Sequence, residues 1–470
     1  MKHIACFCIP AHGHTNPMLP VVAELVRRGH AVRFYSFSEF EEKIQATGAV
    51  FVSCDAFLPD LTEREESGLK NVSTTEMTIQ DIRITLRMDA FLDTEFKTFQ
   101  PDVVYTDSVC FWGKLNAWKH HVPMVVSTST FAFNQVSSGY MKQSPKELAD
   151  MIFGLPKISK ALKTLHPYGY QVKNALSLVQ SDNQTDSIVY TSRRFQPYAE
   201  SFSDHYLFVG PSVFSKAEPK KEKEKSLVYI SMGTVINDRP RFYSSCIEAL
   251  RNQNVDVIIS CGHTIDSRTL EPLPDNVRVY PYVDQLDVLS RADVFLTHCG
   301  MNSVSESLYM ATPMVLYPQT SEQHAVAKRT KEIGAGVALK DDSVAGIRAA
   351  VMEVLGNGTY KEGAKQCSED FRACAGTAGA ADFIETAPHP SDGFDMIAEL
   401  NKANGRTQLL YWLIACAVLV LFGLLAGWKY VWILGIAAGV LSSPVTKAMQ
   451  KKRYEKLVRK QQKSKTETET

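Results

Sequence analysis

The stretch that decides the fold is residues 4–37, IACFCIPAHGHTNPMLPVVAELVRRGHAVRFYSF. It opens with a continuous apolar run, Ile4 to Ile9, which is typical of a strand buried on both faces of a parallel sheet. After a polar turn, apolar residues recur at helical spacing until Gly29, and the pattern favours Asn16 as N-cap and Pro17 as the first helical residue. A second apolar run completes a βαβ unit, which implies a right-handed crossover and a parallel sheet.

The same alternation of strands and helices recurs on both sides of a charged segment at 215–225. Further strands are predicted at 103–105, 123–127, 227–230, 255–260, 277–280, 294–297 and 314–317. A charged segment without core residues is typical of a linker. We therefore predict an N-terminal domain at 1–214, the linker at 215–225 and a C-terminal domain at 226–388, with a deep cleft between two doubly wound sheets.

The C-terminal part of the chain carries a membrane signal. A connector at 389–407 leads to an apolar stretch at 408–427, whose 20 residues are long enough to span a bilayer. A second, shorter apolar run ends at 445, so 408–445 is predicted to form a transmembrane hairpin, with a single span as the alternative. The tail at 446–470 has nine Lys/Arg against three Asp/Glu, which predicts a cytoplasmic tail. A hairpin would also place the domains in the cytoplasm, on a membrane anchor.

The composition bounds the partners and the compartment. Among 470 residues, Lys+Arg and Asp+Glu are equal at 51 each, so the net charge does not indicate a nucleic-acid partner. The ten cysteines are scattered without a metal-binding spacing, which favours free thiols in a reducing compartment and no metal. Residues 1–9 lack the long apolar core of a signal peptide, so we expect the first domain to fold where it is synthesised.

Two acid–base candidates follow strands of the N-terminal domain. His14 lies beside His12 in the turn after the first strand, where a histidine is able to act as a general base near neutral pH. Asp107 follows the strand at 103–105, and an aspartate beside a histidine base fixes its tautomer and stabilises the imidazolium. Taken alone, the histidine is equally compatible with a turn residue bonded to backbone, and the aspartate with the N-cap of the next helix.

Two polar loops follow strands of the C-terminal domain. The longer one is Thr297-His298-Cys299-Gly300-Met301-Asn302-Ser303-Val304-Ser305-Glu306. Its glycine permits close approach of the backbone, and the free N–H groups of the helix that follows favour a diphosphate. The glutamate, one turn into the helix, is able to accept from two ribose hydroxyls. The second loop, Ser231-Met232-Gly233-Thr234, is able to face the same diphosphate. An ordinary capped helix and a common βα turn are the alternatives, and the absence of GxGxxG argues against a nicotinamide cofactor.

The run His298-Cys299-Gly300-x-Asn302-Ser303-x-x-Glu306 resembles the donor-binding signature of the UDP-glycosyltransferases. That family, glycosyltransferase family 1, includes plant secondary-product glucosyltransferases and bacterial macrolide glycosyltransferases. Its signature begins with a segment similar to Tyr282-Val283-Asp284-Gln285 and ends with one similar to Glu322-Gln323. The turn Gly13-His14-x-Asn16-Pro17 resembles the catalytic-histidine turn of the family, and residues 376–385 resemble its closing helix.

The resemblance implies a GT-B fold, with two Rossmann-like domains facing a cleft, inversion at the anomeric carbon and no required metal or other cofactor. It makes His14 the base that deprotonates the acceptor and Asp107 its partner. The donor-binding candidates are then Ser231, Gly233, Thr234, Tyr282, Val283, Gln285, His298, Gly300, Asn302, Ser303, Glu306, Glu322 and Gln323.

Three positions depart from the family pattern. Tyr282 stands where the plant signature has a tryptophan, but its ring is still able to stack on uracil. Met301 replaces another tryptophan, with little loss if the backbone N–H makes the contact. Glu322 replaces an aspartate at the sugar, which leaves other hexoses open beside glucose.

The sequence therefore predicts an inverting transferase that moves a hexose, glucose first, from a UDP-sugar to a hydroxyl of a hydrophobic small-molecule or lipid acceptor. The anchor suggests an amphiphilic acceptor presented from the bilayer. The alternatives are a catalytically silent, membrane-tethered nucleotide-sugar-binding protein, and a GT-B sugar-nucleotide epimerase or lipid-intermediate transferase.

Overall fold

The structure is a computed structural model of the full chain. It describes residues 1–58, 73–172, 178, 183–213, 225–233, 237–262, 265–390, 399–400, 402, 414 and 452–459. The chain divides into two compact units. The first comprises Met1–Ser181, Thr185–Ala199 and His205–Pro390 and holds both sheets described below; the second comprises Asp182–Gln184, Glu200–Asp204 and Ser391–Thr470.

The first sheet has seven strands in the order β3-β2-β1-β4-β5-β6-β7, all parallel. They are β1 His3–Phe7, β2 Ala31–Ser36, β3 Val50–Ser53, β4 Val103–Asp107, β5 Met124–Thr128, β6 Ser187–Val189 and β7 Tyr206–Phe208. The central strands β4 and β5 are buried along their whole length, as expected for a sheet covered by helices on both faces. The helices of this half are α1 His12–Arg27, α2 Glu41–Gln45, α3 Thr74–Phe99, α4 Phe111–Lys119 and α5 Pro145–Lys163.

The second sheet has six parallel strands in the order β10-β9-β8-β11-β12-β13. They are β8 Ser226–Ser231, β9 Val255–Ser260, β10 Val277–Tyr280, β11 Val294–Thr297, β12 Met314–Leu316 and β13 Gly336–Ala338. Its helices are α6 Pro240–Leu250, α7 Gln285–Arg291, α8 Met301–Tyr309, α9 Ser321–Glu332, α10 Val344–Gly356 and α11 Gly358–Arg372. The elements around each sheet are called the first lobe and the second lobe below.

The last helix of this unit, α12 Gly376–Thr386, packs in the first lobe although it follows the second lobe in the chain. Ala380, Ala381 and Ile384 are fully buried in the same apolar cluster as the α1 residues Val22 and Leu25. The two-sheet α/β architecture is as predicted, while the predicted domain boundaries stay predictions.

Two helix starts differ from the sequence analysis. Helix α1 begins at His12 with Ala11 as N-cap, so the prediction of Asn16 as N-cap and Pro17 as first helical residue was wrong. The local pattern misled because it is typical of a helix start, where proline is favoured, whereas Pro17 is the sixth residue of α1 and its missing N–H leaves the carbonyl of Gly13 without its usual helical donor. Asp107 is not the N-cap of α4, whose N-cap is Cys110 without a side-chain cap bond.

The transmembrane part of the predicted architecture is corrected. No helix among the residues that the structure describes is both long and apolar enough to cross a membrane. The 26-residue helix α3 has the length, but charged residues such as Asp81, Arg87 and Asp93 interrupt its sequence. The predicted hairpin at 408–445 lies outside the described residues except for Ile414. The membrane anchor, and the anchored cytoplasmic location that depended on it, are therefore withdrawn.

Candidate active site

The polar loops lie where each sheet reverses its strand order. In the first sheet, β1 and β4 are neighbours at this point, with Phe7 in register with Thr106, so the residues that follow them meet. In the second sheet β8 and β11 are neighbours in the same way, with Thr297 opposite Ser231. Crevices at such positions, outside the carboxyl ends of the strands, are the usual ligand sites of doubly wound sheets. Here both crevices open onto one cavity of about 570 Å³.

His14 and Asp107 form the acid–base pair that the sequence predicts. His14 Nδ1 lies 2.8 Å from Asp107 Oδ2, and the second carboxylate oxygen accepts from the backbone N–H of Val109 at 3.0 Å. The aspartate is fully buried, while the histidine side chain is 28% exposed and lines the cavity. Because Nδ1 is occupied by the carboxylate, Nε2 is the nitrogen left to take a proton from a ligand.

The surroundings of His14 favour its protonated form. Burial lowers the pKa of this histidine, but the charges of Asp107 and Glu322, and the hydrogen bond from Asp107, raise it by more, so the net shift is upward. The hydroxyl of Ser129 lies 3.2 Å from the same Nδ1 and gives the ring a second neighbour. Groups that stabilise the protonated imidazole would also stabilise a transition state in which His14 takes up a proton as a general base.

A proline in α1 creates a contact between the two lobes. Pro17 has no N–H, so the carbonyl of Gly13, four residues earlier, has no partner from within the helix. That carbonyl accepts instead from Asn302 Nδ2 at 3.1 Å. The bond joins the turn that carries His14 to the first turn of α8.

His298 is held in a slot that only glycine can form. A Cβ added at Gly233 or at Gly300 would lie 2.5–2.6 Å from ring atoms of His298, too close for any side chain. Cys299, which lies between His298 and Gly300 in the chain, adopts φ of 67°, which is rare for a residue with a Cβ. Burial lowers the pKa of His298 to about 4, so the ring is neutral at physiological pH and acts as a hydrogen-bonding group rather than a cation.

Helix α8 presents an open N-terminus to the cavity. Its N-cap, Gly300, makes no side-chain cap bond, and its first turn contains no acidic residue. Several neighbouring helices are capped by a side chain, as Asp284 caps α7 and Thr320 caps α9. The uncapped N–H groups and the positive end of the helix dipole therefore remain available to an anion.

Glu306 forms the centre of a polar cluster one turn further along α8. Gln285 Nε2 donates to Glu306 Oε2 at 2.5 Å and to Ser303 Oγ at 3.3 Å, while Tyr229 donates to the amide oxygen of Gln285 at 3.2 Å. Burial raises the pKa of Glu306 to about 7, against a smaller lowering by the hydrogen bond from Gln285 and with a still smaller rise from the charge of Asp284. A buried carboxyl group is stabilised by hydroxyl donors, because they replace the hydrogen bonds to water that it loses on burial.

Most of the predicted site residues meet in this cavity. Its lining includes His14, Ser231, Gly233, Tyr282, Val283, Gln285, His298, Gly300, Asn302, Ser303, Glu306 and Glu322. Asp107 lies behind His14, and Gln323 uses its side-chain oxygen to accept from the backbone N–H of Gln319 at 2.8 Å. Thr234 lies outside the described residues.

Sequence reasoning missed Ser129, Thr130, Tyr229 and Asn237. Thr130 donates to Glu322 at 2.7 Å, and Asn237 Nδ2 donates to the carbonyl of Gly233 at 3.1 Å. Ser129 and Thr130 follow β5 directly. Because ligand sites lie at the carboxyl ends of parallel strands, the predicted strand at 123–127 was a sufficient signal for both. Tyr229 lies inside β8, where its sequence context is that of a core residue.

A family model, curated relatives and a solved structure all indicate the same protein family. The family model described as "UDP-glucoronosyl and UDP-glucosyl transferase" matches residues 216–371. The chain is 31% identical over 397 residues to the uncharacterized UDP-glucosyltransferase YojK of Bacillus subtilis, covering 82% of this chain and 97% of that protein. It is 33% identical over 392 residues to the NDP-glycosyltransferase YjiC of the same organism, covering 82% and 96% of the two chains. A solved structure named as the glycotransferase of kitacinnamycin is 26% identical, with a TM-score of 0.71 over 82% of this chain and 98% of that one.

The two curated relatives are covered over nearly their whole length and the solved structure shares the fold, so the protein belongs to the UDP-glycosyltransferase family and is a glycosyltransferase with a GT-B fold.

Proposed function

We propose that the protein transfers a hexose, glucose first, from a UDP-sugar to a hydroxyl group of a hydrophobic small-molecule acceptor, with inversion at the anomeric carbon. One observation carries the proposal. His14, with Asp107 bonded behind it, lines the same cavity as the uncapped N-terminus of α8, so a candidate base and a candidate anion site face a common space. A displacement by a hydroxyl group with a diphosphate leaving group requires both.

In the proposed reaction, His14 Nε2 takes the proton of the acceptor hydroxyl as its oxygen forms a bond to the anomeric carbon. The bond from that carbon to the diphosphate oxygen breaks, and UDP leaves with the electron pair. Asp107 stabilises the imidazolium that forms. The negative charge that develops on the diphosphate meets the N–H groups of α8 and the side chains of His298, Asn302 and Ser303, which are in place before the reaction.

The nucleoside end supports UDP as the donor. The buried Glu306 carboxyl group is placed to accept from the two hydroxyls of a ribose, whereas a deoxyribose offers one fewer. The aromatic ring of Tyr282, which is 73% exposed beside the cavity, offers a stacking surface for the base. The name of the relative YojK includes a UDP-glucosyltransferase activity, and that of the kitacinnamycin structure refers to a small-molecule product, which supports both parts of the proposal.

The test is a transfer assay with purified protein, a panel of UDP- and TDP-sugars and a set of hydrophobic phenols and macrolides, followed by mass. We expect a gain of one hexose on an acceptor, most rapidly from UDP-glucose. The substitution His14→Ala should lower the rate by roughly 10²–10⁴-fold without weakening UDP binding. His166→Ala, an exposed histidine of the first lobe outside the cavity lining, is the matched control. Full activity of His14→Ala would show that another group is the base.

A further inference from the structure

The first turn of α9 carries Glu322, which lines the cavity, and Gln323. Within its own lobe this turn is held by the cap bond from the backbone N–H of Gln323 to Thr320 Oγ1 at 3.3 Å. Two further bonds reach it from the first lobe, on the opposite side of the cleft. The orientation of the turn therefore depends on residues of both lobes.

The first of these bonds joins Ser321 to Glu147. Ser321 Oγ donates to Glu147 Oε2 at 2.6 Å. The same carboxylate oxygen accepts from the backbone N–H of Ser144 at 2.6 Å, while the Ser144 hydroxyl accepts from the Glu147 N–H, which completes a capping box at the start of α5. The capping box fixes the glutamate rotamer, so the carboxylate is already oriented when it meets the serine.

The second bond lies one residue along the chain. Thr130 Oγ1 donates to Glu322 Oε1 at 2.7 Å. An aspartate at this position would be one methylene shorter, and the longer side chain allows the carboxylate to reach the opposite lobe. Ser321 and Glu322 are thus anchored by successive side chains to two separate points of the first lobe.

The far end of α9 is anchored to the first lobe as well. Tyr140 donates to Glu332 Oε2 at 2.8 Å, and the ammonium of Lys328 lies 3.8 Å from the centre of the Tyr140 ring. Ala325 and Val326 bury the middle of α9 in the second lobe, and the bonds from Glu147 and Thr130 fix how its first turn faces the first lobe. Glu147 acts on a residue that does not line the cavity, so its effect on a ligand passes through Ser321 to Glu322.

We propose that Glu147 is a positioning residue for the donor sugar: by accepting from Ser321, it holds the first turn of α9 so that Glu322 meets the sugar hydroxyls. The proposal rests on the proposed function, which places the sugar at this turn. The diphosphate and the ribose are held by α8 and Gln285, outside this turn. The Glu147–Ser321 bond therefore contributes to the recognition of the sugar and not of the nucleotide.

The experiment compares the affinities of full-length variants for UDP and for UDP-glucose by calorimetry, together with KM and kcat where transfer is seen. We expect Ser321→Ala to weaken UDP-glucose binding and raise its KM by about 2- to 12-fold, the range for the net loss of one typical hydrogen bond, with UDP binding within twofold. Glu147→Gln should act in the same direction. Its amide oxygen still accepts from Ser321 but carries no charge, so its effect should be smaller than that of Ser321→Ala. The double variant should be no worse than Ser321→Ala, because the serine hydroxyl that donates to residue 147 is already gone.

Ser144→Ala is the matched control, because it removes a cap of α5 but leaves the Glu147–Ser321 bond. It should lower the melting temperature while the ratio of UDP-glucose to UDP affinity stays at the wild-type value. The proposal is overturned if Ser321→Ala leaves that ratio unchanged, if UDP and UDP-glucose weaken in parallel, or if the two single changes add. A wild type that transfers no sugar, but whose ratio still responds to Ser321→Ala, would overturn the proposed function and leave the positioning role intact.

Discussion

His14 gains its chemical role from a residue 93 positions away in the chain. Its own sequence context is that of a turn histidine, and only the pairing of β1 with β4 brings Asp107 to its Nδ1. Once that contact exists, the tautomer, the exposed Nε2 and the direction of the pKa shift follow from simple electrostatics. The pair is therefore best probed through the pH dependence of the reaction.

The substitution Asp107→Asn should change both the rate and the pH profile. His14 works as a base only when neutral, so activity rises with pH through its pKa, which the charges of Asp107 and Glu322 hold above its ordinary value against the lowering effect of burial. Removing the charge of Asp107 lowers that pKa, and the acidic limb of kcat/KM should move to lower pH. The plateau should fall by roughly 10³–10⁴-fold, because the imidazolium loses its partner. An acidic limb that stays in place would show that a different group titrates there.

Replacing Pro17 tests whether the hydrogen bond from Asn302 to the carbonyl of Gly13 contributes to donor binding. In Pro17→Ala the new N–H is able to bond that carbonyl within α1 and to compete with Asn302. We expect an equal or higher melting temperature, because a helix gains a hydrogen bond, and a KM for the UDP-sugar raised by about 3- to 10-fold, because Asn302 loses a fixed partner. Pro20→Ala in the same helix is the control, since it adds no donor for Gly13. Equal donor KM values in the two variants would show that the contact between the lobes has no role in binding.

Several elements were predictable because their signals are local. The strands at 255–260, 277–280 and 294–297 have the predicted bounds, since each is a short apolar run between turn residues. The strands β3, β6, β7 and β13 were missed because each has only three or four residues, too few to show a period. Strand β12 is as short, but its apolar run directly follows Pro313 and was therefore recognised. The donor loop was found from its residues, whereas the bond from Thr130 to Glu322 joins residues 192 positions apart and has no local signal.

Helix α12 packs in the first lobe although it follows the second lobe in the chain, and the order of the elements in the sequence does not predict this contact. Arg28 of α1 reaches Asp382 at 2.6 Å and Glu385 at 3.0 Å, and Ile384 is fully buried in the core around α1. A reading by sequence order assigned these residues to the C-terminal domain, because nothing in an amphipathic helix states which sheet it covers. Helix α12 therefore joins the last part of the unit that holds both sheets to its first helix, α1.

Ile384→Ala should therefore destabilise the first lobe. The substitution leaves a cavity in a core shared by α1 and α12, with an expected cost of about 2–5 kcal/mol in the free energy of unfolding. Trp112 and Trp118 lie on α4 in the first lobe, and the other three of the five tryptophans lie beyond residue 390. A urea titration followed by fluorescence is therefore compared with that of the wild-type chain, in which those three are the same. Thr386→Ala, an exposed change on the same helix, should cost less than about 0.5 kcal/mol. Equal midpoints for the two variants would contradict the packing described here.

Across the molecule, the proposed reaction divides the chemistry of the two lobes between proton transfer and charge stabilisation. The first supplies the base and its partner, and the second supplies the anion site. In that site the donors are the uncapped end of α8 and neutral side chains, including His298, whose pKa burial lowers to about 4. A diphosphate held by N–H groups and a helix dipole does not require a cation to balance its charge as it leaves.

We therefore predict that the transfer reaction proceeds without a divalent metal. Of the carboxyl groups that line the cavity, Glu306 is bonded to Gln285 with its pKa raised to about 7 by burial, and Glu322 is bonded to Thr130. A carboxyl group binds a cation in its ionised form, and the raised pKa of Glu306 disfavours that form, so Glu322 is the one other carboxyl ligand among the described residues of the lining. Protein treated with EDTA and then dialysed should keep its rate within about twofold, and added Mg²⁺ or Mn²⁺ should not increase it. Loss of activity on chelation that Mg²⁺ restores would show instead that a cation shares the diphosphate site with α8.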